Sequence, residues 1–207
     1  MLIGIDGNEA NIKNRVGVGE YAFQVLKHLK KFQIPPTSPE APRGKTSTSP
    51  RFRGASKLQF QIYLKENPLP DLPKETEGWK YKVFGPKKFW TQFALPLNLY
   101  LSRPRPDVFF TPSHYAPRFC PVPCVISIMD LSFLKFPEMF RKKDLFQLKH
   151  WTAYSVKRAV RILTISKATK DDIIRYYKVP EEKIVVTYLG YKKDTKILRY
   201  KDTKIQR

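Results

Sequence analysis

The feature that most constrains this chain is the way its apolar periods alternate. Leu2 to Asp6 is a short apolar run entering a loop that holds Gly7, Asn8, Gly17 and Gly19. Tyr21, Val25, Leu26 and Leu29 then follow at helical spacings of three and four. Lys57 to Leu64 alternates as a strand does, and Trp79 to Phe84 reads as another. Phe89 to Leu101 has a helical pattern in which Pro96 predicts a kink or an early stop. Asp107 to Thr111 and Cys124 to Met129 are β-rich runs that end in polar loop residues. The remainder predicts a long helix from about Lys143 to Val160, a strand over Arg161 to Ile165, a helix opened by Ser166, and a last strand over Lys183 to Leu189. Strand and helix alternating this regularly predict an α/β fold: a doubly wound, mostly parallel, Rossmann-like sheet with helices on both faces. Ligands of such folds bind at the carboxyl ends of the strands, so the polar residues after each strand are the candidates for chemistry.

Two segments fall outside that pattern. Residues 35–56 form a Pro/Ser/Thr/basic tract with scarcely any apolar residue, which predicts a disordered insertion. Residues 192–207 carry a basic near-repeat, Lys192-Lys193-Asp194-Thr195-Lys196-Ile197 and then Lys201-Asp202-Thr203-Lys204-Ile205, and read as a tail, the kind of product an interrupted reading frame would leave. The expected domain is therefore 1–191, broken by the insertion. The two segments also supply a good share of a large charge excess: 39 Lys+Arg against 18 Asp+Glu, a formal net charge of +21. Such an excess favours an anionic partner, whether nucleic acid, an acidic membrane surface or a phosphorylated ligand.

Cys120 and Cys124 have no second Cys/His pair to complete a zinc site, so no metal is expected and the thiols are read as reduced, in a loop leading into a buried strand. The amino terminus has no basic leader, and no apolar stretch reaches the ~20 residues that span a bilayer. The expected location is cytoplasmic, with peripheral contact at the inner face of a membrane as a secondary property.

Four loops carry candidates. Gly17 and Gly19, followed by Tyr21, open the first helix; glycines there either let backbone approach a phosphate or serve the turn alone. Met129 and Asp130 follow a strand, where Asp130 either meets a substrate hydroxyl or caps the next element. Ser166 is the natural N-cap of its helix, with Asp171 and Asp172 expected to complement the helix dipole, and it is also a possible ligand contact. Ser113 and His114 lie in the loop after another strand, where His114 either binds an acceptor hydroxyl or is merely solvated.

The order of these motifs carries a resemblance. Gly17-Val18-Gly19-Glu20-Tyr21, Pro106-Asp107-Val108-Phe109-Phe110-Thr111-Pro112-Ser113, Met129-Asp130-Leu131 with Phe136-Pro137-Glu138, Thr164-Ile165-Ser166-Lys167 and Lys183-Ile184-Val185-Val186-Thr187-Tyr188-Leu189-Gly190-Tyr191 together resemble the N-terminal domain of the group 1 glycosyltransferases, family 4, which have the two-domain GT-B fold. The resemblance covers residues 1–34 and 57–191. It implies a retaining transfer of a hexose from a nucleotide-diphosphate sugar to a glycan or lipid-linked acceptor, as in polysaccharide biosynthesis, with no further cofactor and no essential metal. The acceptor binds this domain and the donor binds a second one. Asp130 is implied as the catalytic residue, and Gly17, Gly19, Tyr21, Ser113, His114, Met129 and Ser166 as substrate- or donor-binding.

The chain departs from the family at Met129, where many relatives carry His; a thioether neither donates a hydrogen bond nor exchanges a proton. Nothing in it resembles the donor domain's paired glutamates or its basic residues. The expectation is a chain truncated before that domain and inactive alone, because a cleft with one wall cannot preorganise charge around a departing nucleotide. The alternative is a non-catalytic basic module for an anionic membrane surface or nucleic acid. No recognition motif for a specific nucleic acid is present, and Phe89, Trp90, Phe93, Leu97 and Tyr100 beside basic residues would suit lipid if their helix is not simply packed in the core.

Overall fold

A computed structural model describes residues 1–31 and 58–190. The expected insertion at 35–56 and the tail at 192–207 lie outside the described residues. In chain order the elements are β1 (Leu2–Asp6), α1 (Val18–Lys31), β2 (Gln59–Leu64), β3 (Trp79–Val83), a π-helical turn (Trp90–Ala94) running into α2 (Leu95–Leu101), β4 (Val108–Thr111), β5 (Cys124–Ile128), α3 (Ser132–Lys135), α4 (Lys142–Arg158), β6 (Arg161–Thr164), α5 (Lys167–Tyr177) and β7 (Ile184–Val186).

All seven strands lie in one parallel sheet, ordered β3-β2-β1-β4-β5-β6-β7. From β1 the chain first winds outward to β2 and β3, then returns to β4 on the other side of β1. That reversal is the Rossmann-like switch point, and the crevice of such a sheet opens at the carboxyl ends of β1 and β4. Parallel strands are sandwiched between helices, so both faces are apolar. On one face Ile5, Phe60, Ile62, Trp79 and Phe110 pack with Ala22 and Leu26 from the inner stripe of α1. On the other, Tyr63, Phe109, Ile126, Ile128 and Ile162 pack with Leu95, Leu99, Val156 and Ile173. The α1 face is less well covered towards β7: Val125 and Leu163 are half-buried and Val185 is exposed.

Three expectations need correction in detail. Pro96 neither stops nor simply kinks its helix. A proline crowds the carbonyl four residues back and has no N–H to give it. Here the wider π turn ends just before Pro96, so the ring falls in the first turn of α2, at the change from one hydrogen-bonding pattern to the other. Asp171 and Asp172 lie past the first turn of α5, beyond close range of the dipole; Asp172 instead pairs with Lys135 at 2.6 Å. The last strand is shorter than its β-rich sequence, because β6 ends at Thr164 and Val186 is the last residue with a partner in register.

The centre of the sheet is tight enough to require glycine at position 4. A Cβ there would stand 2.9 Å from Phe109 Cδ2, 3.0 Å from Pro106 Cγ and 3.1 Å from Tyr63 Cε2. Phe109 and Tyr63 are themselves fully buried and cannot swing away. Gly4→Ala is expected to destabilise the domain by about 1–3 kcal/mol, the usual cost of overpacking, despite alanine's better intrinsic preference. Urea unfolding of the variant measures this; an unchanged midpoint would show that the centre is looser than these distances imply.

Candidate active site

The carboxyl ends of β1, β2 and β4 deliver polar residues to a common edge. Asp6 is the last residue of β1, Lys65 follows β2, and Ser113 lies two residues past β4. These three, with Asn8, Glu9, Lys87, Phe89, Trp90, Thr91, Gln92, Tyr115 and Trp151, line a cavity of about 240 Å³. That is somewhat smaller than the ~300–1,000 Å³ of drug-sized ligand sites. Carboxylates, hydroxyls and amides facing aromatic rings form a lining that can hydrogen-bond and stack at once.

Each wall is held by identifiable contacts. Asn8 Oδ1 accepts from the Lys65 N–H at 2.9 Å, and the Gly7 N–H donates to the Tyr63 carbonyl at 3.0 Å, so the β1 and β2 loops move together. Asn11 extends the seam, donating to the Asn67 carbonyl at 3.0 Å and accepting from the Leu69 N–H at 2.8 Å. The loop after β4 is fastened to α4: the Ala116 N–H donates to Ser155 Oγ at 2.8 Å, the Phe119 N–H donates to the Tyr154 hydroxyl at 3.0 Å, and the Tyr115 ring meets Trp151 edge-on at 5.5 Å. Trp90 is fixed by its indole N–H, which donates to the Phe84 carbonyl at 3.0 Å, and by stacking on the Phe84 ring.

Asp6 is the unusual group. It is 8% exposed, and its Oδ1 accepts from the Asn8 N–H at 3.0 Å and from Asn8 Nδ2 at 2.7 Å. Burial pushes its pKa up to about 6; the two hydrogen bonds from Asn8 oppose this without cancelling it. A carboxyl poised in that range can both accept and give up a proton near neutrality.

The residues singled out in the sequence divide into three groups. Ser113 alone lines the cavity, buried, with its hydroxyl 3.1 Å from Thr111 Oγ1. His114, Met129, Asp130 and Ser166 lie further along the same edge, after β4, β5 and β6. There Thr169 ties two of them together: its Oγ1 donates to the Met129 carbonyl at 3.0 Å, while its N–H donates to Ser166 Oγ at 3.1 Å, making Ser166 the N-cap of α5. Asp130 Oδ1 accepts from the N–H and the hydroxyl of Ser132 at 2.9 and 2.6 Å, an Asx turn just ahead of α3, and the carboxylate is exposed. His114 is half-buried with Nδ1 unpartnered; burial lowers its pKa, and the nearby charge of Asp130 opposes that.

The third group, Gly17, Gly19 and Tyr21, lines no part of the cavity. Gly17 has φ +50°, a turn conformation that favours glycine, and is exposed. Gly19 is buried where a Cβ would stand 3.0 Å from Ile12 Cδ1 and 3.1 Å from the Glu9 carbonyl. The Tyr21 hydroxyl reaches Ser127 Oγ at 3.1 Å, inside the sheet. The loop before them is locked by Arg15, which holds both oxygens of Asp71 at 2.5 and 2.9 Å, donates to the Ala10 carbonyl and lies over the Phe23 ring. No group of three or more His, Cys, Asp or Glu side chains among the described residues is placed to hold a metal ion. Cys120 and Cys124 are both buried free thiols.

Sequence reasoning missed Asp6, Lys65, Lys87, Tyr115 and Trp151 as site residues. Asp6 carried a readable signal, since it ends a strand at the switch point just as Asp130 follows one. Trp151 did not, because nothing in a helical pattern tells which exposed ring turns towards a distant loop.

The raised pKa of Asp6 links the site to stability. The folded state holds the proton more tightly than the unfolded chain between 3.8 and about 6, so stability contributed by the protonated carboxyl is full below that window and is lost as pH rises through it. The difference amounts to about 3 kcal/mol at most. Asp6→Asn keeps an acceptor oxygen for Asn8 without the charge. Urea unfolding should show the variant gaining on the parent by roughly 1–3 kcal/mol between about pH 4 and about pH 7.5. A stability difference independent of pH would mean that Asp6 ionises normally.

Comparison with known proteins supports one assignment. Residues 53–194, about two thirds of the chain, match the model of Glycosyltransferase Family 4. The matched region includes β2 to β7, the Lys65, Lys87, Tyr115 and Trp151 walls of the cavity, and His114, Asp130 and Ser166; β1 and the glycine loop precede it. No curated protein matches the chain. The seven-stranded parallel sheet, its switch point and this match identify the chain as a member of Glycosyltransferase Family 4, with the Rossmann-like N-terminal domain of a GT-B enzyme.

Proposed function

We propose that this domain is the acceptor-side half of a retaining hexosyltransferase, which receives sugar from a nucleotide-diphosphate donor held mainly by a further domain. The observation that carries the reading is the cavity at the switch point. Asp6, Asn8, Ser113 and Gln92 offer hydrogen-bonding groups to sugar hydroxyls, and Trp90, Tyr115 and Trp151 offer rings. Donor phosphates would need several fixed cations. The cavity offers Lys65 and Lys87, and Lys87 is already paired with Glu66 at 3.0 Å. Asp130 is assigned the catalytic carboxylate: Oδ1 is occupied by Ser132, and Oδ2 makes no hydrogen bond among the described residues, so it remains for a substrate hydroxyl. His114, half-buried and within the electrostatic reach of Asp130, is assigned to the acceptor side of the same edge. Ser166 and the Met129 backbone shape that edge, and Gly17, exposed in its turn, would approach the donor from this side. The donor sugar itself is the only cosubstrate in this reading; no metal is assigned.

Calorimetric titration tests the division of labour. Acceptor-type oligosaccharides should bind the chain at least about tenfold more tightly than nucleotide-diphosphate sugars do, and Trp151→Ala should weaken the glycan by about 1–2 kcal/mol. The reverse preference would place the donor in the cavity. In the active enzyme, Asp130→Asn should lower kcat by about a hundredfold or more with little change in KM, and the product should keep the donor's anomeric configuration by NMR. Wild-type kcat in that variant would remove Asp130 from the chemistry.

A further inference from the structure

The helix that carries Trp90 into the cavity wall turns a second, unused face outward. From Trp90 to Leu101 the chain is continuously helical, and its inner side, with Trp90, Leu95 and Leu99, is buried in the core. Its outer side bears Phe93, Leu97, Tyr100 and Leu101, which are 70%, 59%, 61% and 65% exposed, with Phe89 at 59% just before the first turn. The spacing of these residues by three and four puts them along one ridge. Phe89 has φ +54°, a conformation bulky residues rarely adopt, and its ring meets Phe93 edge-on at 6.2 Å. Five large apolar side chains in one outward ridge are more than a soluble surface ordinarily leaves in water.

Within the segment that carries the ridge the charge has one sign, although Lys87 is paired with Glu66 from the loop after β2 at 3.0 Å. The segment from Gly85 to Pro106 contains Lys87, Lys88, Arg103 and Arg105 and no Asp or Glu. Lys88 Nζ lies 5.4 Å from the Phe89 ring at one end, and the Arg105 guanidinium lies 5.2 Å from the Tyr100 ring at the other. Arg103 and Arg105 are held there by donating to the Tyr100 carbonyl at 3.2 and 2.6 Å. Apolar side chains on the outside of a helix, with cations at both ends, complement a surface that is negative outside and hydrocarbon beneath.

We propose that the ridge of Phe89, Phe93, Leu97, Tyr100 and Leu101, with its flanking lysines and arginines, docks on an anionic lipid bilayer. Phe89 belongs to both the ridge and the cavity lining, so docking sets the cavity mouth beside the headgroups. The inference does not depend on sugar transfer: vesicle binding tests the surface, and glycan binding tests the function.

Co-sedimentation of the full chain with vesicles of phosphatidylglycerol and phosphatidylcholine in equal parts tests it, against vesicles of phosphatidylcholine alone. The parent should bind the anionic vesicles and bind the neutral ones several-fold less. Phe93→Glu with Leu97→Glu should reduce partitioning by about tenfold or more, since two large side chains no longer leave water. Met139→Glu with Phe146→Glu, equally exposed side chains elsewhere, should retain it. A Leu97→Cys variant carrying an environment-sensitive dye should shift to the blue with anionic vesicles, and a Met139→Cys variant should not. Equal losses in both double variants, no loss in the ridge variant, no dye shift at position 97, or no binding by the parent at low salt would each overturn the proposal. So would a dimer that the ridge variant abolishes while the parent ignores vesicles, because the ridge would then belong to a second copy.

Discussion

Parallel pairing about β1 is the constraint on which the rest of this molecule depends. Parallel neighbours cannot be joined by a tight turn, so every step in the sheet requires a crossover long enough to cover a face. Because β1 lies between β2 and β4, two sets of crossovers leave it in opposite directions, and the loops that follow β1, β2 and β4 converge on one edge. The price is close packing at the centre, which explains why Gly4 and Gly7 face side chains at distances that exclude a Cβ. The cavity is a consequence of topology before it is a consequence of any motif.

The same packing accounts for the electrostatics of the site. Asp6 ends β1 after two buried residues, so its carboxyl is desolvated, and Asn8 compensates with two hydrogen bonds to one oxygen. A group kept partly protonated near neutrality is poorly chosen for stability and well chosen for exchanging a hydrogen bond with a hydroxyl. Asp130 is the converse: exposed, already committed through Oδ1 to a turn with Ser132, and within the electrostatic reach of His114. The two carboxylates on one sheet edge thus stand in different surroundings, which is what the division of roles proposed for them rests on.

The layout of the fold was legible in the sequence because apolar periodicity reports burial, and burial is what a parallel sheet demands. Eight of the expected elements lie within two residues of those observed at both ends, among them Trp79 to Phe84 and Cys124 to Met129, and the helix opened by Ser166 starts where expected. What was not legible depended on partners distant in sequence. The end of β7 is set by the end of β6. Ser166 could be identified as an N-cap from its position alone, and its bond from the Thr169 N–H is that cap; Asp130 makes the related local bond of an Asx turn ahead of α3. The convergence of Lys65, Tyr115 and Trp151 on Asp6 could not be identified, since it joins residues between 36 and 145 positions apart. The family was legible from the order of several loose motifs, and the matched region runs through most of them.

The most direct test of the account is to map where an acceptor binds. Isotope-labelled protein titrated with oligosaccharides should show the largest amide perturbations at Asn8, Lys65, Ser113, Tyr115 and Trp151, and the Asp6 carboxyl carbon should change its titration midpoint when glycan is bound. Perturbations confined to the glycine loop around Gly17, or changes at the cavity caused by nucleotide-diphosphate sugar and not by glycan, would contradict it.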